Sequence, residues 1–569
     1  MNSTAGWRRK YIMHFVCAVW GCFLLIASAA AAPGSNEANG PDPDSALPQP
    51  SASSAAGNQK EITELKQKLA EQQSQIEKLS VILQQQTNPS QDSGTTAGAQ
   101  AQVASMVPMI PSAPVATASP VLPQAEHKEP EAAPLQFKLG SATFTPVGFM
   151  DFTSVFRDTD AGSGIGTNFG SIPYRTAASV PANLTEFRMS LQNSRIGMRV
   201  DATVHGTQVI GYWESDFLGG TGNPPVGNIS VTTNSDAFRL RLYWVDLRKG
   251  KFEILGGQTW SLMTPGRKGI SPLPADVFYT NDYDVNYHLG LVWGRIPEFR
   301  MVYHPSDKVA MALALGNPEQ YIGGSGGSGA IVIPTSLASS YASELDNGTT
   351  VLAVPNVLPD IILKFAFDPT SRVHFEFTGL ERTFRTYNPL TAQHFDAAGG
   401  GVEANFNLEL LKNFRFVTNN YWSDGGGRYI FGQAPDLVIR SDGSPSLVKS
   451  GSTVSGFEFK HKSFQAYTYY GGVYIKRNVI VDPVTGSFYG YGYPGSANSQ
   501  NRGVQEGTIG FIEDFWKDAK YGALSLMGQY AYFARDPWNI PSGTPRETHM
   551  NEAWLNLRYT LPGSAPSPK

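Results

Sequence analysis

The 569-residue chain has only two cysteines, Cys17 and Cys22, and both lie within its first 32 residues. The remainder cannot form a disulfide, so a fold held together by cysteine bridges is excluded. Charged residues are also few, at 16%, whereas about 25% is usual for a soluble domain. A formal net charge of −4 with no basic tail argues against a nucleic-acid partner.

Long apolar runs and catalytic motifs are missing as well. After residue 32 no apolar stretch approaches the ~18 residues of a membrane-spanning helix. No Gly-x-Ser-x-Gly, His-Glu-x-x-His or P-loop motif occurs in the long C-terminal region, and the Asp-Tyr-Asp at 282–284 lacks the spacing of a calcium loop. The sequence therefore indicates no enzyme, metal or cofactor. Such a chain can cross a membrane only as strands that close on themselves.

Residues 1–32 have the pattern of a secretory signal peptide. Arg8, Arg9 and Lys10 precede an apolar run at 11–27, and small residues follow it. An uncleaved membrane anchor is the alternative. Residues 33–57 are rich in Pro, Ala and Ser and are predicted to be disordered.

Residues 58–86 repeat apolar side chains at heptad spacing. The residues at positions a and d include Ile62, Leu65, Leu69, Ile76, Leu79 and Leu83. This spacing predicts a short coiled coil and hence an oligomer, with a solitary amphipathic helix as the alternative. Residues 87–134 hold eight prolines and are predicted to form an extended linker of up to ~150 Å.

From residue 135 to the end, the chain is predicted to form about sixteen strands joined alternately by short and long connections. Short ones include His205-Gly206 and Lys412-Asn413, and one long connection covers 261–294. Tight turns at one rim, long loops at the other and an even strand number are typical of an outer-membrane barrel. A Greek-key sandwich has no reason to alternate so regularly. The twelfth strand is placed at 452–460, with 435–440 as a competitor.

The hairpin Phe238–Trp260 shows the two faces that a barrel requires. Strand side chains alternate between the faces of a sheet. One predicted face carries Phe238, Leu240, Leu242 and Trp244, and the other carries Arg239, Arg241 and Tyr243. In a membrane barrel the apolar face contacts lipid and the arginines point into a wet lumen.

Several stretches together resemble the DcaP-like trimeric porins of Gram-negative bacteria. They are the coiled coil, the Pro-rich linker, Ser194–Arg199, the hairpin ending in Gly257–Trp260, and the closing Arg558–Pro562. The resemblance implies an all-β, sixteen-stranded antiparallel transmembrane barrel in the outer membrane and a homotrimer with a periplasmic coiled coil. It also implies passive diffusion of small, often anionic solutes such as dicarboxylates, with no cofactor.

Strand parity places five arginines inward, where they would form a positive wall. They are Arg188, Arg195, Arg199, Arg239 and Arg241, with a phase break near 193–194. Such a wall selects anions. Glu214 and Asp216 share the lumenal parity, and the alternative is that these carboxylates neutralise the arginines in a structural network.

The connection 261–294 is longer than a hairpin needs and is predicted to fold inward and narrow the pore. It carries Arg267, Lys268, Asp276, Asp282 and Asp284. A surface loop over the outer rim is the alternative. For the whole protein, two other functions remain open: an outer-membrane anchor that tethers the membrane to peptidoglycan, and an outer-membrane hydrolase.

Overall fold

The structure is a computed structural model that describes residues 135–562. Within that range it leaves out 162–163, 220–235, 274–276, 283–284, 325–328, 349–355 and 431–432. The predicted signal peptide, disordered segment, coiled coil and linker all lie outside the described residues, as do 563–569.

The described residues form strands in an almost unbroken series, numbered here β1 to β22. Their bounds are β1 Phe137–Leu139, β2 Ala142–Arg157, β3 Glu186–Ser190, β4 Arg195–Val204, β5 Thr207–Gly219, β6 Ala237–Lys249, β7 Phe252–Trp260, β8 Arg295–Ser306, β9 Val309–Gly316, β10 Asp360–Thr370, β11 Val373–Asn388, β12 Gln393–Leu411, β13 Phe414–Asp424, β14 Leu437–Ile439, β15 Pro445–Leu447, β16 Lys449–His461, β17 Phe464–Ile475, β18 Asn478–Val481, β19 Phe488–Tyr491, β20 Asn501–Asp518, β21 Gly522–Pro537 and β22 Thr548–Thr560. One helical turn covers Ala338–Tyr341, and 3-10 turns cover Phe169–Ser171, Pro181–Asn183 and Gly427–Tyr429. None of the described helices is long and apolar enough to span a membrane.

Sixteen of these strands close into an antiparallel barrel: β2, β4 to β13, β16, β17 and β20 to β22. Successive barrel strands pair in chain order, and the ring closes where the last strand, β22, pairs with β2 from Phe149↔Thr560 to Arg157↔Glu552. On its other side β2 pairs with β4 from Thr143↔Asp201 to Phe149↔Arg195. The predicted all-β, sixteen-stranded antiparallel barrel is confirmed.

The sequence pattern predicts a single strand over 184–203, but the structure has two strands there, β3 and β4, which both pair with β2. The break occurs where the inward parity changes. There Ser194 Oγ accepts a hydrogen bond from the Asp151 backbone N–H at 2.9 Å, and Asn193 Nδ2 donates to Thr153 Oγ1 at 3.2 Å. Side chains thus partner β2 over the interrupted part of the ladder.

The competition for the twelfth barrel strand is resolved in favour of the later segment. β16 takes this place, pairing with β13 and β17. The competing segment forms β14, which pairs only with β15 as a small hairpin in the loop before β16. The second small hairpin, β18 with β19, belongs to the next long loop.

Short turns alternate with long loops around the ring, as the sequence predicts. Two residues join the strands at 205–206, 250–251, 307–308, 371–372, 412–413 and 462–463, and three join β20 to β21. His205, Asn413 and Lys462 adopt positive φ angles of 49°, 67° and 54° in these turns. Such conformations suit the right-handed twist of hairpins.

The outer surface of the barrel is apolar. Along β9, Met311, Leu313 and Leu315 point outward and are exposed, whereas the alanines between them are buried. On the neighbouring β8 and β10, Met301 and Leu363 also point outward, opposite Leu313 in register. Exposed apolar side chains in adjacent strands form the outer band that a lipid-facing barrel needs.

One part of the predicted hairpin pattern is wrong. Phe238 and Leu240 do point outward, but Leu242 and Trp244 are buried inside while Tyr243 is 64% exposed outside. The cause is a β-bulge, since Leu242 lies opposite Glu214 and Leu240 opposite Ser215, which leaves Arg241 as an extra residue. One inserted residue inverts the side-chain parity beyond it.

The apolar outer band predicts the effect of an outward charge. Leu313→Arg should lower the free energy of unfolding in lipid vesicles by about 2–4 kcal/mol, because it transfers a guanidinium into hydrocarbon. Leu313→Phe is the matched control and should change it little. Urea unfolding followed by tryptophan fluorescence measures both, and equal stabilities would show that this face does not contact lipid.

Candidate functional site

The connection 261–294 is called here the inward segment, and its described residues lie inside the barrel. Its backbone N–H groups bond to side chains on four different wall strands. The pairs are Gly266 to Glu376 Oε2 at 2.9 Å, Asn281 to Gln529 Oε1 at 3.0 Å, Leu289 to Glu506 Oε2 at 2.9 Å and Val292 to Asn419 Oδ1 at 3.0 Å. A buried connection needs such partners for its polar backbone groups, and here the wall supplies them.

A missing side chain on β17 lets the inward segment approach the wall. A Cβ at Gly471 would overlap the carbonyl oxygen of Leu289 and lie 2.6 Å from Nδ1 of His288. Gly290, which directly follows these two contact residues, has a φ of 89°, a conformation that glycine adopts readily. The two glycines thus fix how closely this part of the segment lies against the wall.

Apolar side chains of the inward segment pack with those of other long loops. Tyr287 stacks on Phe169 of the 158–185 loop with ring centroids 5.8 Å apart, and Phe169 also contacts Phe533 of β21. Trp293 meets Trp260 edge to face at 5.2 Å. These contacts belong to a buried apolar cluster that occupies part of the interior.

The predicted residue Arg267 crosses to the opposite wall. Its Nη1 lies 2.7 Å from Glu458 Oε2 on β16, and its guanidinium lies 4.9 Å from the ring centroid of Tyr279. Burial by itself would lower the pKa of Arg267, but the Glu458 carboxylate raises it well above the ordinary value. The cation therefore stays charged inside the barrel.

A cavity of about 610 Å³ lies between the inward segment and the short-turn rim. Its cations are Arg267, Lys268, Lys308, Arg415 and Lys460, and its carboxylates are Asp307, Asp368, Glu409 and Glu458. Lys268, Lys308 and Lys460 are exposed, and none of the three forms an ion pair within the part of the chain that the structure describes. Here, then, cationic groups are available to a solute.

Sequence reasoning missed Lys308, Arg415 and Lys460. They lie in or next to three short turns that are distant in the chain, at 307–308, 412–413 and 462–463. The positions of the predicted short turns could have indicated these residues, because short turns that meet at one rim bring their flanking residues to the same mouth of a barrel.

The five arginines predicted to form the positive wall all have acidic neighbours. Arg241 Nη1 lies 2.6 Å from Asp216 Oδ2, and its Nε lies 2.9 Å from Glu214 Oε1. Arg239 binds Asp216 at 2.6 Å, and Arg195 lies 3.7 Å from Glu214. These contacts match the alternative of a structural network in which the carboxylates neutralise the guanidinium groups.

The two remaining wall arginines are paired as well. Arg188 lies 2.9 Å from Glu186 on the same strand, and Arg199 lies 2.7 Å from Asp201. Arg188 is exposed and shares the inward parity of β3, since it lies opposite the buried Val155 of β2. None of the five is therefore an uncompensated charge.

Of the three acidic residues predicted in the inward segment, the structure describes only Asp282. Asp282 is fully buried, and burial together with the neighbouring Glu506 and Glu552 carboxylates raises its pKa well above the ordinary value. Asp276 and Asp284 lie outside the described residues.

Two buried arginines that the sequence analysis did not single out hold the long loops to the wall. Arg157 of β2 binds Glu552 of β22 at 2.5 Å and Glu186 of β3 at 2.6 Å, and it donates to the Ile165 carbonyl at 2.7 Å. It thus links the closing strands of the ring to the 158–185 loop.

The second is Arg382 of β11. It lies 3.1 Å from Asp360 on β10 and 2.9 Å from Asp436 in the loop before β14. Burial raises the pKa of Asp436, and the Arg382 guanidinium opposes that rise. Breaking such a buried pair is costly, so this contact fixes the loop against the wall.

Solved outer-membrane proteins resemble this structure, although no protein-family model and no curated protein sequence matches the chain. The outer membrane channel DcaP of Acinetobacter baumannii matches with a TM-score of 0.52 and 16% identity, over 75% of this chain and 99% of that one. The anion-selective porin from Comamonas acidovorans matches with a TM-score of 0.41 and 11% identity, over 74% of this chain and 100% of that one. Salmonella typhi OmpF matches with a TM-score of 0.40 and 9% identity, over 75% of this chain and 100% of that one. The first of these likenesses confirms, for the fold, the resemblance to a DcaP-like porin barrel.

The compensated wall predicts how its carboxylates affect stability. Asp216→Ala removes the acceptor of two arginines inside the barrel and should lower the free energy of unfolding by about 3–5 kcal/mol. The matched control is Asp201→Ala, which breaks a more exposed pair and should cost within about 1 kcal/mol. Urea unfolding in lipid vesicles measures both, and equal effects would mean that the Asp216 network does not stabilise the barrel.

Proposed function

We propose that the protein is an outer-membrane porin through which small hydrophilic solutes, preferentially anions, diffuse passively. The observation that carries the proposal is the closed sixteen-stranded barrel with an apolar exterior and a charged interior that the inward segment enters. An apolar outside and a charged inside suit a water-filled path through lipid. The likeness to the DcaP channel supports the same function.

The preference for anions is assigned to the cavity at the short-turn rim. In outer-membrane barrels this rim faces the periplasm. Lys268, Lys308 and Lys460 supply ammonium groups there that are free of ion pairs among the described residues. Lysine rings favour anions in a pore, and partly buried walls strengthen such fields. The arginines of the wall contribute less, since carboxylates lie beside them.

The size of the cavity fits a small solute. Its volume of about 610 Å³ falls within the usual range for small-molecule sites, roughly 300–1,000 Å³. Free lysines and the forked guanidinium of Arg415 suit a carboxylate at each end of a dicarboxylate-like anion.

The assembly proposed for this function is a homotrimer in outer-membrane lipid, with residues 58–86 forming a coiled coil in the periplasm. Contact between this N-terminal region and peptidoglycan would add a tether to the same molecule. A barrel that serves only as an anchor is the second candidate, and the buried apolar cluster inside the lumen is the observation that favours it.

Conductance separates the porin from the anchor. The purified protein in a planar bilayer should give stepwise ion conductance, with a reversal potential in a salt gradient that shows anion preference. Replacing Lys268, Lys308 and Lys460 by glutamine should shift that potential towards cation preference without abolishing conductance, because only the unpaired charges are removed.

The matched control for this experiment changes three exposed lysines that do not line the cavity: Lys249→Gln, Lys251→Gln and Lys476→Gln. This control should leave the reversal potential near that of the parent protein. Absence of any conductance would favour the anchor, and cation preference of the parent protein would contradict the proposed selectivity.

The oligomer is tested separately in the coiled coil. Ile76→Glu with Leu79→Glu places charges at positions a and d, and should convert the trimer to smaller species because the apolar seam is lost. Ser74→Glu, at an outward heptad position, is the control. Light scattering coupled to size exclusion in detergent measures the mass, and an unchanged mass in the double variant would show that the trimer does not depend on this seam.

A further inference from the structure

Three metal-ligating side chains meet where the inward segment contacts the wall. Asp282 and His288 come from the inward segment and Glu506 from β20, and all three are fully buried. One potential ligand atom from each lies within 4.8 Å of the others. Nε2 of His288 is 3.4 Å from Oε1 of Glu506.

The charge of this cluster comes from two carboxylates that lie close together. Among the described residues, no lysine or arginine forms an ion pair with Asp282 or Glu506. In the wall network, by contrast, the carboxylates of Glu214 and Asp216 each lie against an arginine guanidinium. Two carboxylates buried side by side repel each other unless a cation or a proton lies between them.

Two buried polar atoms of the cluster, Oδ2 of Asp282 and Nε2 of His288, have no hydrogen-bond partner among the described residues. Nδ1 of His288 lies 3.0 Å from the Leu289 carbonyl oxygen. A carbonyl only accepts hydrogen bonds, so Nδ1 carries the proton. In the neutral ring, Nε2 then presents its lone pair to the two carboxylates.

The other atoms of the ligands are held by surrounding groups. Gln529 donates from Nε2 to Oδ1 of Asp282, and its Oε1 accepts from the Asn281 N–H and the Tyr467 hydroxyl, both at 3.0 Å. These two donors fix which way the Gln529 amide points.

Glu506 is oriented in the same manner. Its Oε2 accepts from the Leu289 N–H at 2.9 Å, and its Oε1 accepts from the Thr508 hydroxyl. Metal-binding histidines usually donate their second N–H to a carbonyl or carboxylate, and metal-binding carboxylates are themselves hydrogen-bonded. All three residues of the cluster have this arrangement.

We propose that Asp282, His288 and Glu506 form a binding site for a divalent first-row transition metal ion of the Zn²⁺ type. An imidazole nitrogen and carboxylate oxygens are suitable ligands for such ions. In a tetrahedral site with bonds of 2.0–2.1 Å, ligand atoms lie about 3.3 Å apart. The His288 and Glu506 atoms already have this spacing, and an approach of Asp282, whose ligand atom lies within 4.8 Å of both, completes the triad.

The site gives the metal a structural role. Two ligands belong to the inward segment and one to the wall, so the ion would cross-link the segment to β20 inside the lumen. The charge of a divalent ion also offsets the two buried carboxylates. Three protein ligands leave a fourth position for a small molecule such as water.

The test measures metal binding by the full chain purified in detergent after treatment with a chelator. Isothermal titration with Zn²⁺ should show one tight site per chain that Asp282→Asn and His288→Leu weaken by roughly 100-fold or more, because each removes a direct ligand. Titration with Co²⁺ should give the visible absorption of a four- or five-coordinate ion in the parent protein and lose it in both variants.

The matched control is His461→Leu, which removes an exposed histidine near a short turn and should leave both titrations unchanged. Near-ultraviolet circular dichroism establishes that each variant is folded, and Asp282→Asn preserves the size of the side chain. Absence of the Zn²⁺ site in the parent protein, or equal affinity in parent and ligand variants, would overturn the proposal. The first result would mean that a proton within the cluster, and not a metal ion, offsets the two carboxylates. Neither readout depends on conductance, so the metal site and the porin function can fail independently.

Discussion

Ring closure between β2 and β22 is the constraint on which the rest of the structure depends. A strand in hydrocarbon must find a partner for every backbone N–H and C=O group, and only a closed sheet leaves no unpaired edge. Closure also makes the two faces of each strand unequal, because one face is outside and the other is enclosed. The apolar outer band and the charged interior follow from this geometry.

Enclosing so many charges requires that most of them be paired. Arg157 and Arg382 show the arrangement. Arg157 lies between carboxylates of β22 and β3 and donates to a carbonyl of the 158–185 loop, and Arg382 lies between carboxylates of the wall and of a long loop. Such pairs contribute less to net stability than their number implies, yet removing one partner is costly. They therefore specify where the loops lie. Unpaired lysines concentrate instead at the short-turn mouth, so the groups that hold the loops and those that meet a solute are largely separate.

The inward segment depends on the wall more than on its own sequence. Its backbone N–H groups donate to side-chain oxygens of Glu376, Asn419, Glu506 and Gln529, although those residues are more than 80 positions away in the chain. Gly471 provides the space that this contact needs. The segment is thus built into the barrel from several sides.

The architecture was predictable from the sequence because it is repeated: alternation within strands and turn residues between them recur around the ring. Single departures were not predictable. The bulge at Arg241 turns Leu242 and Trp244 to the inner face of the sheet. The residue types in this stretch do not indicate a bulge. At the break between β3 and β4, the Ser194 hydroxyl accepts a hydrogen bond from the β2 backbone and the Asn193 amide donates one to a β2 side chain.

Contacts between distant parts of the chain could not be predicted from sequence patterns either. Parity placed the wall arginines inward but could not show that Glu214 and Asp216 approach them to ion-pair distance. His288 and Glu506 are 218 residues apart and belong to no spacing motif, so only the fold brings them together. The same holds for Lys308 and Lys460 at the mouth of the barrel.

The central claim is that the inward segment lies in the path of ions through the barrel. Outside its first 32 residues the chain has no cysteine, so in a chain that begins at residue 33 a single introduced thiol can be labelled selectively. The most direct measurement is the single-channel conductance of Lys268→Cys before and after a bulky anionic thiol reagent, with Leu313→Cys on the outer band as control. We expect a stepwise fall in conductance for Lys268→Cys and none for the control. Full conductance after complete labelling of Lys268→Cys would contradict it.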